Sequence, residues 1–438
     1  MRSELPKVLQ PLAGRPLLAH VLDRAEALHA DDVCVVYGHG GERVRTAFPS
    51  PAIRWALQAE QLGTGHAMLQ AMPGTPQDNQ VLVLFGDVPL LTTATLRTLL
   101  AEAQGDELLV LTVDMQDPTG YGRIIRDGEA VTGIVEEKDA SSAQKAITEI
   151  NTGVMLCPGE QLKAWLGRLS NDNAQGEYYL TDVIAMAVAD GIPVQGVKAP
   201  DQVEVMGIND KKQLAEAERA LQARIVDRLM AEGVGFADPA RVDIRGELTC
   251  GRDVFIDVNA VFEGDVTLGN GVHIEANNVI RDSALGDGVV VHPHCHIEGA
   301  VAGPGCEIGP FARLRPGAEL ADDVKVGNFV EIKKSIVAAG SKVNHLTYIG
   351  DSEIGVNVNV GAGTITCNYD GANKHRTKIG DGAFIGSGVN LVAPVEVGTG
   401  ATIGAGSTIT KDAPAGQLTL ERSKQLTVRG WKRPVKKS

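Results

Sequence analysis

Two breaks in a regular repeat contain the residues best suited to acid–base chemistry. The first break, residues 333–353, contains His345, and the second, residues 361–378, contains Asn368 and Tyr369. A neutral imidazole accepts a proton at physiological pH, so His345 could be the general base for acylation of an amine. A lone loop histidine is more often structural, but catalysis in a repeat protein belongs where the scaffold is interrupted.

Cations in the same half of the chain suggest an anionic substrate. Arg315 and Lys333 lie 18 residues apart, one full coil of a solenoid with three hexapeptides per turn, so they would stack on one face. Together they could clamp a phosphate. The alternative is a pair of solvated charges. A basic C-terminal tail could meet further phosphates, although a solvated tail is the simpler interpretation; its cations are Lys424, Arg429, Lys432, Arg433, Lys436 and Lys437.

The first half of the chain contains a candidate metal site. Asp87 ends the apolar run 81–85, which places its carboxylate at the carboxyl edge of a buried strand, where ligands gather in open α/β sheets. One carboxylate with phosphate and water oxygens is an ordinary Mg²⁺ environment. The alternative is a turn-forming aspartate. Asn209 precedes a long helical pattern, so its position alone is equally consistent with a metal ligand and with the N-cap of that helix.

The cluster His292, His294 and His296 is a second candidate, because some solenoid enzymes bind Zn²⁺ through three histidines. In the hexapeptide frame Val291 and Ile297 point inward. The three histidines then occupy turn and outward positions that do not converge on one point. We therefore expect no metal ion there.

A period of six residues defines the second half of the chain. Neither a helix nor a plain strand produces this period, whereas a left-handed parallel β-helix, the hexapeptide-repeat solenoid, buries one aliphatic residue on each face. The same phase recurs upstream from Leu268. The clearest run is Ile379, Ile385, Leu391, Val397, Ile403 and Ile409.

Residues 1 to about 210 lack this period. Apolar runs at 32–37, 80–85 and 107–113 have strand length, and 59–71 and 92–104 have helical patterns, which predicts a Rossmann-like α/β nucleotide-binding domain. An amphipathic stripe from Asp210 to Glu232 predicts a long helix. It is either a linker or the last helix of the first domain. We predict an α/β domain at 1–211, a linker helix at 212–232 and a solenoid domain at 233–438.

Composition excludes several classes of protein. The net charge of −14 argues against binding of nucleic acid or an anionic membrane. Six cysteines without C-x-x-C spacing indicate free thiols in a reducing cytoplasm. No run of 18 apolar residues occurs and no apolar leader opens the chain, so we expect neither a membrane span nor an export signal.

Specific motifs extend over nearly the whole chain. They are L-P-K at 5–7, Q-A-E-Q-L-G-T-G-H-A from Gln58, G-D-V-P-L from Gly86, P-T-G-Y-G-R from Pro118, E-I-N-T-G from Glu149, N-A-Q-G-E-Y-Y-L-T-D from Asn173, G-P-F-A-R-L-R-P-G from Gly309, H-L-T-Y-I-G-D from His345 and G-T-I-T-C-N-Y-D-G from Gly363. With them the chain resembles the bifunctional bacterial family that joins a glucosamine-1-phosphate N-acetyltransferase to an N-acetylglucosamine-1-phosphate uridyltransferase.

For the first domain, the resemblance implies uridyl transfer from UTP to N-acetylglucosamine 1-phosphate, with release of diphosphate. Asp87 and Asn209 would hold Mg²⁺, and Lys7 would reach the phosphates. The residues implied to contact uracil are Gln58, Gly63 and Thr64. Phe85 and Gly86 would complete that wall of the nucleotide site. Phe85 stands where tyrosine also occurs in the family. The implied sugar pocket is Gly122, Glu136 and Asn151.

For the solenoid, the resemblance implies acetyl transfer from acetyl-CoA to glucosamine 1-phosphate. His345 would be the base, Arg315 and Lys333 the phosphate clamp, and Tyr348, Asn359 and Asn368 the sugar contacts. The implied acetyl-CoA contacts are Ala362, Asn368, Tyr369, Ser387, Ala405 and Arg422. The family is a cytoplasmic homotrimer whose product feeds peptidoglycan and lipopolysaccharide synthesis.

The N-terminus departs from the family pattern. Family members begin with a strand and a loop of type L-x-A-G-x-G-T-R-M, and Met1 matches the end of that loop. Three explanations are open: a start placed too late, a chain that was cut, or a protein that lacks the loop. We favour the first, and we expect very weak uridyl transfer by a chain that lacks those phosphate-binding amides. The alternative function is acetyl transfer alone, with an inactive first domain.

Overall fold

A computed structural model describes residues 1–38, 40–76 and 78–436. The chain forms two compact units, Met1–Leu221 and Gln222–Ser438. The division falls inside one long helix, so the predicted linker at 212–232 and the domain bounds derived from it stay predictions. No helix in the described residues is long and apolar enough to cross a membrane.

Helices and strands alternate in the first unit. The α-helices, the last of which crosses the division, are α1 Leu17–Ala27, α2 Glu42–Ala47, α3 Thr64–Ala71, α4 Thr93–Ala101, α5 Ser142–Lys145, α6 Gly159–Leu166, α7 Asp182–Ala189 and α8 Lys211–Ala231. The strands are β1 Pro11–Leu12, β2 Arg15–Pro16, β3 Val33–Tyr37, β4 Ile53–Leu57, β5 Gln80–Val83, β6 Leu108–Asp114, β7 Arg123–Asp127, β8 Ala130–Val135, β9 Glu149–Pro158 and β10 Val194–Lys198.

The main sheet of this unit is mixed rather than parallel throughout. Its order is β10-β6-β9-β7-β8, with β5 also paired to β9. Strand β9 is antiparallel to β5, β6 and β7, whereas β10 and β6 are parallel. Every residue of Leu108–Val113 is buried, as expected for a strand covered on both faces. The remaining pairs are the parallel β3–β4 and the hairpin β1–β2.

Local chemistry sets the starts of the helices. The pattern at 59–71 predicts a helix, but α3 begins only at Thr64, because Gly63 has a φ of 104° that a helix does not allow. Helix α4 begins after Thr92, whose hydroxyl accepts the backbone N–H of Thr95. The buried Glu204 carboxylate accepts from both threonine hydroxyls.

The second unit is a parallel β-solenoid. Two sheets, of 11 and 16 strands, wrap its three faces. The strands are β11 Gly235–Phe236, β12 Asp243–Cys250, β13 Phe255–Ile256, β14 Val261–Leu268, β15 His273–Ile274, β16 Val279–Leu285, β17 Val290–Val291, β18 His296–Glu298, β19 Ala300–Ala302, β20 Glu307–Ile308, β21 Arg313–Leu314, β22 Ala318–Leu320, β23 Lys325–Asn328, β24 Glu331–Lys333, β25 Ser335–Val337, β26 Lys342–His345, β27 Tyr348–Gly350, β28 Ser352–Ile354, β29 Asn359–Val360, β30 Ile365–Cys367, β31 Thr377–Ile379, β32 Phe384–Ile385, β33 Asn390–Val392, β34 Val395–Val397, β35 Thr402–Ile403, β36 Thr408–Ile409 and β37 Leu418–Thr419.

The period of six places its aliphatic residues inside the solenoid. All the members of the run that begins at Ile379 are at most 3% exposed, and Leu268, Ile274 and Ile280 are equally buried. Successive coils pair in register, for example Leu314 with Ile332 and Ile332 with Ile349. The predicted solenoid interior is therefore confirmed.

A buried glutamine of α8 closes the first coil. Gln222 is 2% exposed. Its side-chain amide donates to the carbonyl of Ile244 and its side-chain oxygen accepts the N–H of the same residue, both at 2.8 Å. Both backbone groups would otherwise be buried without partners, which costs about 1–3 kcal/mol each.

We expect Gln222→Leu to lower the free energy of unfolding of the second unit by about 2–4 kcal/mol, because both Ile244 groups lose their partners. Urea denaturation followed by circular dichroism measures this change. The matched control is Gln417→Leu, because Gln417 is exposed. A loss at Gln222 no larger than that at Gln417 would contradict the role of Gln222.

Candidate active sites

A cavity of about 220 Å³ in the first unit brings together several predicted residues. Thr64, Phe85, Gly122, Glu136 and Asn151 all line it. It lies between the segment before β7 and the start of β9. Sequence reasoning did not assign the remaining lining residues, which include Tyr121, Gly153 and Thr181.

The polar groups of this cavity have fixed partners. Thr181 donates its hydroxyl to Glu136 Oε1 at 3.0 Å, and burial raises the pKa of the Glu136 carboxyl. Asn151 accepts the Gly153 N–H through Oδ1 and donates its own N–H to the Gly122 carbonyl. A Cβ at Gly122 would lie 2.9 Å from Ile134 and 3.4 Å from Glu136, so a larger residue would fill the cavity wall.

A buried ion pair joins two walls of the cavity. Arg123 has a side chain only 2% exposed, and its guanidinium lies 2.7 Å from Glu137. The same guanidinium donates to the Tyr121 carbonyl, and Arg123 lowers the pKa of the Glu137 carboxyl. The pair thus holds residues 120–122 against residues 136–137. The P-T-G-Y-G-R motif by itself did not indicate that Arg123 forms an ion pair with Glu137.

The predicted metal ligands converge on one point. Lys7 Nζ lies 2.5 Å from Asp87 Oδ2 and 2.9 Å from Asn209 Oδ1. Two oxygen donors within reach of a single cation fit Mg²⁺, which prefers oxygen ligands and retains water. The Lys7 ammonium satisfies both oxygens here.

The predicted uracil-side residues lie at the start of α3. Gln58 donates its side-chain amide to the Gly63 carbonyl at 3.0 Å. A Cβ at Gly63 would lie 2.6 Å from the Tyr178 carbonyl, so only glycine fits. Thr64 accepts the Leu180 N–H through its hydroxyl. Gly86 follows Phe85, which lines the cavity, and precedes Asp87 in the chain.

In the solenoid, His345 is exposed at the end of β26 and has one partner that orients it. Its Nδ1 lies 2.9 Å from Asn328 Oδ1, one coil earlier. An amide oxygen only accepts, so Nδ1 carries the proton and Nε2 has a free lone pair in the neutral ring. The 17-residue spacing could have identified Asn328 from sequence, but only with the coil register known.

Three cations of the solenoid, Arg315, Lys333 and Lys374, influence one another. Arg315 lies 2.8 Å from Glu331, which offsets part of its charge. The nearby Lys374 ammonium, with burial and Arg315, lowers the pKa of Lys333, while the Asp351 carboxylate acts in the opposite direction. Sequence reasoning did not assign Lys374, which lies in the second break, to the phosphate.

The second break forms a short ordered loop that presents Lys374. Asp370 accepts from the N–H groups of Ala372 and Asn373 and lies 2.6 Å from His375 Nε2. These contacts, led by the Asn373 N–H, hold the pKa of Asp370 far below its usual range. Tyr369 and Lys374 form an antiparallel bridge across the loop.

The predicted sugar contacts divide between two faces. Asn368 donates to Asp351 at 2.6 Å, and a Cβ at Gly350 would collide with the Tyr348 hydroxyl and the Asn368 amide. Tyr348 and Asn368 are therefore close to each other. Asn359 lies on β29 in the other sheet, across the corner.

Four of the predicted acetyl-CoA residues form a column at one corner, whereas Asn368 and Tyr369 lie at the loop of the second break. The Ala362 carbonyl accepts from Gly388 at 2.7 Å, and the Ser387 carbonyl accepts from Gly406 at 2.8 Å. Ala362, Ser387 and Ala405 therefore occupy equivalent positions on successive coils. A Cβ at Gly406 would lie 3.9 Å from the Arg422 side chain, which continues the column.

The three clustered histidines have separate surroundings. His292 lies 3.2 Å from Glu275, His294 stacks on Phe311, and His296 is exposed on β18. Within residues 1–38, 40–76 and 78–436, no group of three or more His, Cys, Asp or Glu residues is placed to hold a metal ion. The expectation that the three histidines bind no metal ion stays a prediction. The tail cations through Lys436 are exposed, and Lys437 lies outside the described residues.

Family comparisons match both halves of the chain. Residues 1–152 match the MobA-like NTP transferase domain, residues 244–330 the GMPPB C-terminal domain, and residues 376–411 the bacterial transferase hexapeptide (six repeats). The fold and the two sites thus define a nucleotidyltransferase unit followed by a hexapeptide-type transferase solenoid.

Similarity to individual proteins extends over the full length. The chain is 60% identical over 438 residues to the bifunctional protein GlmU of Azoarcus sp. (strain BH72), covering 100% of this chain and 97% of that protein. It is 58% identical over 439 residues to the bifunctional protein GlmU of Aromatoleum aromaticum, covering 100% and 96%.

The chain belongs to the GlmU family of bifunctional proteins. It combines a uridyltransferase with a glucosamine-1-phosphate acetyltransferase. The predicted family, fold class and pair of activities are confirmed. The expectations about a segment before Met1, and about weak uridyl transfer in its absence, stay predictions.

Proposed function

We propose that the solenoid acetylates glucosamine 1-phosphate with acetyl-CoA, and that the first unit transfers uridylate from UTP to the N-acetylglucosamine 1-phosphate formed. The observation that carries the first half is the orientation of His345 by Asn328. The same solenoid groups Lys333, Lys374 and Arg315 and aligns the small residues Ala362, Ser387 and Ala405 on successive coils. The second half is supported by the cavity beside three converging groups, Lys7, Asp87 and Asn209.

His345 acts as the base in the acetylation. Asn328 fixes the tautomer with the free lone pair on Nε2, which takes the proton as the amine nitrogen attacks the thioester carbonyl. The carbon–sulfur bond then breaks and CoA leaves as its thiol. The column of Ala362, Ser387 and Ala405 leaves room for an extended pantetheine arm along successive coils.

We expect His345→Ala to lower acetyl transfer by about 10²–10⁴-fold, with little change in acetyl-CoA binding. Asn328→Ala should lower it less, because the base remains but loses its orientation. Uridyl transfer by the same chain and the His296→Ala variant serve as controls, and both should stay unchanged. Acetylation near normal in His345→Ala would remove His345 from the mechanism.

The sugar phosphate binds among Lys333, Lys374 and Arg315. The ammonium groups of Lys333 and Lys374 repel each other, and a phosphate that binds between them offsets this repulsion. The ion pair from Arg315 to Glu331 keeps the guanidinium in place. Tyr348, Asn359 and Asn368 are assigned to the sugar.

We expect Lys333→Met and Lys374→Met each to raise KM for glucosamine 1-phosphate by about 10–100-fold, as a charge-assisted contact contributes about 1.5–3 kcal/mol. KM for acetyl-CoA should change little, since the phosphate of the sugar alone binds there. The control is Lys378→Met, an exposed lysine on another face. Equal losses for both substrates would contradict the clamp.

In uridyl transfer the sugar phosphate attacks the UTP α-phosphorus, and diphosphate leaves. Mg²⁺ held by Asp87 and Asn209 would offset the charge on the phosphates. Lys7 then moves its ammonium from these oxygens to the phosphates. Gly122, Glu136 and Asn151 bind the N-acetylglucosamine, with Thr181 orienting Glu136, and positioning supplies most of the catalysis.

We also propose a homotrimer that assembles through the solenoids in a reducing, cytoplasmic compartment. All six cysteines are free thiols. A column of exposed apolar residues at one corner supports the assembly, with Phe311 48%, Phe329 55% and Leu346 62% exposed. The two phenylalanine rings stack at 5.2 Å, and Leu346 follows the base His345. A continuous patch of this kind is typical of an interface.

We expect Phe329→Asp to convert the trimer to smaller species in light scattering, because the charge would be buried in the interface. Acetyl transfer should fall with it if adjacent chains share the site. The control is Ile336→Asp, since Ile336 is equally exposed but lies between Glu319 and Glu353 on another face. An unchanged mass in Phe329→Asp would exclude this column as the interface.

A further inference from the structure

A buried glutamine lies directly behind the turn that presents Lys7. Gln10 is 2% exposed, and its backbone N–H donates to the Lys7 carbonyl at 3.1 Å. Its side-chain Nε2 lies 3.0 Å from the Leu5 carbonyl oxygen and 3.1 Å from Ser3 Oγ. A carbonyl oxygen only accepts, so the NH₂ group faces residues 3–5. Gln10 therefore fixes the chain both before and after Lys7.

The oxygen of the same amide contacts the start of α8. Lys211, the first residue of that helix, donates its ammonium to Gln10 Oε1. An ammonium only donates, so this contact and the one to Leu5 independently require the same amide orientation. Lys211 lies two residues after Asn209, whose Oδ1 is 2.9 Å from Lys7 Nζ. One buried side chain thus joins the segment that contains Lys7 to the segment that contains Asn209.

We propose that Gln10 and Lys211 are positioning residues for uridyl transfer, because they fix Lys7 relative to Asn209. In the proposed function, on which this rests, Lys7 reaches the phosphates and Asn209 holds Mg²⁺. The lysine ammonium stands on a flexible four-carbon chain, so its position depends on a fixed backbone. A displacement of about 1 Å between reacting groups can lower a rate about 100-fold. Neither Gln10 nor Lys211 lines the cavity assigned to the sugar, so the effect should fall on the phosphates.

The first test removes the contact from the α8 side. We expect Lys211→Met to lower kcat for uridyl transfer about 10-fold, because Lys7 and Asn209 lose their fixed separation, while KM for N-acetylglucosamine 1-phosphate changes little. Lys211→Arg keeps a donor and should restore most of the rate. The matched control is Lys212→Met, since Lys212 is the next lysine of α8 and pairs with Glu216 instead.

The second test changes the other side of the contact. Gln10→Met retains the length of the side chain but loses its hydrogen bonds, so kcat should fall at least as far as in Lys211→Met. Adding Lys211→Met to Gln10→Met should cause no further loss, because the two residues act through one contact. Because Lys211 is exposed, Lys211→Met should leave the urea midpoint of the first unit unchanged, which separates positioning from stability.

Binding provides a readout that needs no turnover. In calorimetric titrations with UTP and Mg²⁺, Kd should rise severalfold in Lys211→Met and Gln10→Met and stay unchanged in Lys212→Met. Normal kcat and normal UTP affinity in Lys211→Met would overturn the inference, as would a lowered urea midpoint in that variant or independent, multiplicative losses in the double variant. UTP binding without uridyl transfer in the wild type would instead contradict the proposed function.

Discussion

Parallel pairing between successive coils is the constraint on which the second unit depends. Each coil donates and accepts backbone hydrogen bonds with the next, so the spacing of equivalent residues stays near 17 or 18, as for Leu314, Ile332 and Ile349. A shift of one residue would turn the aliphatic side chains outward. Extra residues can therefore enter only at corners, and residues 368–376 lie at such a corner.

This constraint explains why residues proposed for the acetyltransferase site are distant in sequence but close in space. Asn328 reaches His345 because both stand at the same position of adjacent coils. The same register aligns Ala362, Ser387 and Ala405, although the inserted loop makes the first interval longer. The scaffold thus provides rigid spacing, and the inserted loop adds a further cation, Lys374, near Lys333.

The first unit uses a different principle, because its site is bordered by segments between strands. Buried polar contacts fix these segments: Arg123 with Glu137 on one side and Thr181 with Glu136 on the other. An arginine that is almost fully buried is costly unless it is paired and hydrogen-bonded. Here the pairing gives the cavity a defined shape rather than contributing greatly to stability.

The sequence by itself determined the solenoid, its buried aliphatic positions and the family, because the period of six and the motifs are local properties of the chain. It also proposed His345, Arg315, Lys333 and Asp87 as site residues, and their roles stay predictions. Only the tertiary structure decided the antiparallel position of β9, the orientation of His345 by Asn328, and the approach of Lys374 to Lys333. These depend on pairing between residues far apart in sequence, and a single sequence gives no register for such pairs. The contact between Gln10 and Lys211, which are 201 residues apart, needed coordinates for the same reason.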